Sequence, residues 1–321
     1  MLAYLTRRLL QMGLVIVLLS VATRALLNAM PGDPIDALKR SSPRPLTRED
    51  VERLKHYYGY DDPFLVQYFK WLRNLAAGDL GYSEIYRLPV SALLWPALGR
   101  TLLLTGTAFL LALLLAVPLG VRSAAAPGSP DDLLIRFLCF LGISVPTFWL
   151  CLVAIHWFAV RWRWFPPDAH MPPDESGWYR QARYLVLPVL TVALQLAAEW
   201  TRYVRSGLRD VLGMGYLRAA RARGAGEGRL LWRHALPNAL VPFLTVLGLS
   251  LPYLVGGELV VEMVFGWPGL GQLEYDAIRK QDYNLAMATL LLIALATLVG
   301  SLLADVAHAA LDPRVRHQRA A

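Results

Sequence analysis

The chain has 321 residues, 56% of them hydrophobic, a mean hydropathy of +0.40 and a formal net charge of +8. That is too apolar for a soluble domain of this length and points to an all-α polytopic membrane protein. It also argues against nucleic acid as a partner, because basic loops beside apolar spans follow from the positive-inside bias.

Arg7 and Arg8 precede an apolar run read as a first span over residues 9–30. The run continues past any signal-peptide core and no A-x-A-like cleavage site follows. Arg24 lies late in it, where a long cationic side chain is expected to snorkel to the boundary. The MPGDP stretch from Met30 to Pro34 ends this helix. Residues 31–98 are then the longest polar section, with acidic and basic residues nearly balanced, and are expected to form a small helical cap outside the membrane. Within it, Thr47 and Asp50 are spaced as in a capping box. Asp61-Asp62-Pro63 announces a second helix over residues 64–75, and Gly78-Asp79-Leu80-Gly81 reads as a turn.

The uncharged run 101–121 is about the ~20 residues that cross the hydrocarbon, and gives the second span. A short loop with Pro127-Gly128-Ser129-Pro130 leads to a third over 137–160. This span holds both cysteines, Cys139 and Cys151. On a helix they would be about 18 Å apart, beyond disulfide reach, and no metal site is indicated. His156 sits beside Trp157, Trp162 and Trp164, which read as an interfacial aromatic belt. A proline-rich loop over 161–183 precedes the fourth span, 184–203, whose apolar run gives out at Glu199. A basic section, 205–238, follows. The fifth span, 239–257, contains Pro242 and Pro252; a polar segment, 258–282, and a sixth span, 283–304, complete the bundle. Counting Lys and Arg in the short loops places both termini and the eight arginines from Arg202 to Arg233 on the cytoplasmic side.

The stretch Tyr216–Asn238 is basic and glycine-interrupted between two apolar runs. Gly224, Gly226 and Gly228 would each weaken a helix by roughly 1 kcal/mol relative to alanine. Two helical pieces with a glycine turn, rooted in two spans, make a lever that a cytosolic partner could push. The alternative is a solvated loop touching anionic lipid headgroups. No GxxxxGK[ST] phosphate loop occurs, so ATP and its magnesium are expected on other subunits, with no cofactor in this chain and no catalytic residue.

Within this loop, Arg218-Ala219-Ala220 is followed by three residues and Gly224, and after nine more by His234, Ala235 and Leu236-Pro237. The spacing resembles the signature loop of the permease subunits of bacterial ABC importers, with Arg218 in place of glutamate and His234 in place of isoleucine. The double-arginine start, MPGDP, Gly78 to Gly81, Glu262, Phe265 to Gly271, Asp282-Tyr283, Asp305 and Asp312-Pro313-Arg314 resemble the B-type permeases of dipeptide and oligopeptide importers. The resemblance implies a six-span type I importer permease fold and an ATPase-coupling role for Arg218, Ala219, Ala220, Gly224, Leu236 and Pro237. It also implies four kinds of partner: a second related permease, two ATPase subunits or domains, an extracytoplasmic substrate-binding protein and membrane lipid. Ser144, Gln195, Ser250, Tyr253, Glu258 and Glu262 are then candidates for the translocation path or its gate; any of them could instead bond helix to helix. Permeases of this kind also carry nickel complexes, opines or antimicrobial peptides. A stand-alone secondary transporter or channel is the competing class, disfavoured by the scarcity of mid-span charges and of internal repeats.

Overall fold

The computed structural model describes residues 2–29, 47–58, 61–83, 85–169, 178–256 and 258–311. MPGDP, the prolines Pro172 and Pro173, and Asp312-Pro313-Arg314 lie outside them. The described chain is almost entirely helical and divides into two compact units: residues 1–100 with 269–298, and residues 101–268 with 299–321.

The first unit contains α1 (Leu2–Ala29), α2 (Arg48–Tyr58), α3 (Phe64–Ala76), a two-strand hairpin β1 (Tyr82–Ser83) and β2 (Leu88–Pro89), and α13 (Leu270–Arg279). It also holds the starts of α4 (Val90–Ala125) and α14 (Tyr283–Leu311). Thr47 caps α2 as its spacing predicts: Asp50 N–H donates to Thr47 Oγ1 at 3.2 Å, and Thr47 N–H donates to Asp50 Oδ2 at 3.0 Å. Gly78 and Gly81 both take positive φ, +80° and +83°, making the tight turn before the hairpin. Arg24 does not snorkel. It is 6% exposed, and its Nη2 donates to Gln67 Oε1 of α3 at 2.7 Å. One turn earlier Ser20 shares a 2.8 Å hydrogen bond with Tyr68. An amide within reach on α3 gives the guanidinium a partner without a path to water. Asp282 caps α14, accepting from Leu285 N–H at 3.2 Å and from the Ser83 hydroxyl of the hairpin. Burial raises the Asp282 carboxyl above the ordinary carboxylate range.

The second unit is built on α7 (Trp178–Leu212), which packs against α5 (Pro130–Ser144), α6 (Thr147–Ala154), α10 (Leu236–Ser250) and α12 (Leu259–Phe265). Small residues let these helices close up. A Cβ at Gly120 would lie 2.7 Å from the Val204 side chain, one at Gly142 2.8 Å from Ala198 Cβ, and one at Gly207 2.9 Å from the Ala239 carbonyl. Trp200 is fully buried between Phe109 and Phe243, with ring centroids at 4.6 and 6.0 Å. Where the fourth span was expected to run out near Glu199, α7 continues to Leu212. Val204, Leu208 and Val211 remain buried on one face while Arg202, Ser206 and Arg209 stay exposed on the other, so packing carries the helix past the end of the apolar run.

By length and composition, five described helices can cross a membrane, or six if α5 and α6 are counted with their extension as one broken span. The single helix expected over 137–160 is therefore two, meeting at 106° across Val145-Pro146. Proline at 146 cannot donate to Gly142, and the residue before it is pushed to extended backbone; Val145 has φ −82° and ψ 126°. Beyond α6 a wide π-type turn, Ile155–Arg161, carries His156 and the exposed Trp157 toward Trp162 and Trp164. Trp162 stacks between the other two, at 5.7 and 4.8 Å.

Candidate functional site

The basic section forms two short helical pieces. Helix α8 (Gly215–Ala222) follows an extended Met214, and α9 (Glu227–Arg229) runs into a π-type stretch, Leu230–Ala235, that joins α10. Between them Gly224 adopts φ +83°. Its N–H donates to the Arg221 carbonyl at 3.0 Å, and the next N–H, of Ala225, reaches back to the Ala220 carbonyl at 3.2 Å. These two bonds are a Schellman closure with glycine at the left-handed position. Ala220 and Ala225, the flanking pair, both pack on the unit's core. The short side chain at 220 and the glycine four residues on thus have one local cause.

The loop is anchored from beneath. Leu217 and Leu230 are 1% exposed, Ala235 is 0% and Leu236 7%. Pro237 stands where the π-type stretch passes into α10 and has no N–H to donate to the preceding turn. Asn238 Nδ2 donates to the His234 carbonyl at 2.9 Å and to Tyr216 Oη at 3.0 Å, tying the start of α8 to the start of α10. Arg221 grips Glu227 through two bonds, 2.7 and 3.1 Å, across the glycine turn. Arg218, Ala219, Met214, Tyr216 and Trp232 face outward. Arg218 has no ion-pair partner among the described residues.

At the turn between α4 and α5 lies a polar cluster that sequence reading missed. Asp132 is 1% exposed and meets Arg205 Nε at 2.9 Å and Nη2 at 3.1 Å, Ser123 Oγ at 2.5 Å and Gly128 N–H at 2.9 Å. It joins the turn between α4 and α5 to the stretch of α7 that leads into α8. Its signal was available only as two charges of opposite sign bordering neighbouring apolar runs.

The other candidates are scattered through the second unit. Gln195 Nε2 donates to the Val145 carbonyl at 3.2 Å, and Ser144 is exposed beside it. Ser250 donates to its own helix, at Val246, 2.9 Å away. Tyr253 is 61% exposed. Glu262 is fully buried; Thr101 Oγ1 donates to it at 2.6 Å, which ties α12 to α4. Glu258 is half-buried, and burial, with a smaller push from Glu262, raises its carboxyl above the usual range. Ser144 and Gln195 meet at the break in the third span, and Glu258 and Glu262 lie one turn apart at the start of α12.

Helices able to cross a membrane and a two-piece loop rooted in two adjacent long helices are the architecture of an integral membrane component. The chain belongs to the family of binding-protein-dependent transport system inner membrane components, whose model matches residues 116–317; the N-terminal model of the same family matches residues 1–104. It is 38% identical to the oligopeptide transport system permease protein AppB of Bacillus subtilis, over 99% of this chain and 100% of that one. It is 32% identical to the dipeptide transport system permease protein DppB of Alkalihalophilus pseudofirmus, over 99% and 100%. A putative peptide permease protein of Brucella ovis is 35% identical over 98% and 99%.

Proposed function

We propose that this chain is one permease subunit of an ATP-driven peptide importer of the bacterial inner membrane, with both termini cytoplasmic. A second related permease completes the passage. Two ATPase subunits or domains drive the complex, the loop 205–238 is this chain's coupling element toward them, and an extracytoplasmic binding protein delivers cargo to the cap 31–98 and the segment 258–282. ATP and magnesium are held by the ATPases. The names of the full-length relatives support the peptide cargo. The observation that carries the mechanism is the loop itself: Gly224 locks its corner, Leu217, Leu230 and Leu236 bury its underside, and Arg218 and Ala219 face outward.

Such a corner moves as one piece with α7 and α10. A nucleotide-dependent change in the ATPases then reaches the bundle as a difference in binding free energy between two packings. Moving the population from 1:99 to 99:1 needs about 5.5 kcal/mol. Gly224→Pro is the direct test, since a ring fixed near φ −65° cannot occupy φ +83° and the Arg221 bond loses its donor. In reconstituted vesicles the variant is expected to stay in the membrane and lose ATP-driven peptide uptake. Uptake at the wild-type rate would overturn the lever; a wild-type complex that takes up no peptide would overturn the cargo.

A further inference from the structure

Helices α5 and α7 run antiparallel along one seam. Arg205 meets Asp132, Ala198 lies against Gly142, and Gln195 reaches Val145. Ile135, Cys139 and Ala198 are buried together on it. Arg202 falls between Ala198 and Arg205 on the same stripe of α7, and Arg136 falls between Ile135 and Cys139 on α5, so helical spacing sets the two arginines at one level of the seam. Both are exposed, and neither has an ion-pair partner among the described residues. Their neighbours differ in this respect: Arg205 is bound to Asp132, and Arg122 to Asp131 at 2.6 Å. Glu199, three residues before Arg202, is exposed and makes no ion pair with either arginine.

The surrounding surface fixes the depth of this level. On α7 the exposed side chains change from Leu190 and Leu194 to Glu199, Arg202 and Arg209. On α5 they change from Asp131 to Leu133, Leu134, Phe137 and Phe140. Two helices on one seam thus place the apolar–polar boundary at the same height. Leu133, Arg136, Phe137 and Phe140 follow the i, i+3, i+4, i+7 spacing of a single outward stripe, so a cation is set into an apolar face. Tyr203, exposed on α7, adds a ring with a polar tip, the side chain favoured at the headgroup level. A guanidinium beside hydrocarbon is costly without a counter-charge. A lipid phosphate supplies the anion and the acceptor oxygens that the guanidinium fork matches, and acyl chains match the stripe below it. Free phosphate offers the charge without the chains.

We infer that the α5–α7 seam carries a binding site for an anionic phospholipid, its phosphate held by Arg136 and Arg202 and its acyl chains lying along Phe137 and Phe140. Basic groups between membrane helices recognise anionic headgroups in this way. The site is separate from the basic loop, and it holds whatever cargo the complex carries.

The test uses the assembled complex, taken from vesicles of phosphatidylethanolamine mixed with phosphatidylglycerol and read by native mass spectrometry. Wild type is expected to keep phosphatidylglycerol through detergent exchange, and Arg136→Gln and Arg202→Gln each to weaken that retention about fivefold. Arg122→Gln removes the same charge nearby from a residue already paired with Asp131, and retention should stay at the wild-type level. An equal loss in Arg122→Gln shows a diffuse basic surface and overturns the site, as does unchanged retention in the double change Arg136→Gln with Arg202→Gln. In a second arm, a benzoylphenylalanine in place of Phe140 leaves both arginines intact, so it decides the matter even where a glutamine variant fails to assemble. On illumination it is expected to capture phospholipid; capture of a protein subunit instead overturns the inference.

Discussion

Asp132 accepts hydrogen bonds from Arg205, Ser123 and Gly128 together, and almost none of it reaches solvent. Removing one member of a buried pair leaves the other charge uncompensated, which costs about 3–5 kcal/mol. Asp132→Ala is therefore expected to lower the thermal unfolding temperature in detergent markedly. The double change Asp132→Leu with Arg205→Met is expected to cost less than either alone, since a packed apolar pair needs no partner. At Gly224 the penalty follows backbone shape instead: alanine at a left-handed φ costs roughly 1–2 kcal/mol, so peptide uptake should rank glycine, alanine, proline in falling order. Glu274, on α13, is pushed up to about 7 by burial alone. Its folded form holds the proton more tightly than the unfolded chain does. Its favourable contribution is complete below the ordinary glutamate value and is lost as pH rises through about 7. Unfolding melts at pH 6 and 8 should show wild type losing stability over that interval and Glu274→Gln losing less.

Helices of this chain are set by contact as much as by propensity. The cap of α2 was legible because Thr47 and Asp50 act over three residues. Thr47→Ala should destabilise that helix by about 0.5–2 kcal/mol, seen as faster amide exchange over residues 48–52. Helix α7 was legible only to the end of its apolar run. Its last three turns depend on Val204, Leu208 and Val211 meeting side chains far away in sequence, which no local pattern encodes. Gly207 faces a backbone carbonyl that cannot rotate away. Gly207→Ala should force α7 and α10 apart at a cost of about 1–3 kcal/mol, measurable as a lower melting temperature of the purified chain. The bend at Val145-Pro146 escaped notice because hydropathy averages over it: the apolar run is unbroken while the hydrogen-bond ladder is not.

At the scale of the molecule, the helical membrane character and the basic loop could be read from apolar run lengths and charge, while the count of six rests on taking α5 and α6 as one span. Signature spacing led to Gly224, whose φ then explained itself. The partition into two compact units could not be read, since it joins residues 1–100 to 269–298 across more than half the chain. A consequence is that Glu274→Gln and Asp132→Ala, which fall in different units, should each alter hydrogen-exchange protection first within its own. The Ser20–Tyr68 and Arg24–Gln67 bonds have a mechanical meaning as well. They rivet α3 to α1 at two successive turns. A protein tugging on α3 would not deform a loose flap; it would grasp a handle fastened to the first membrane helix.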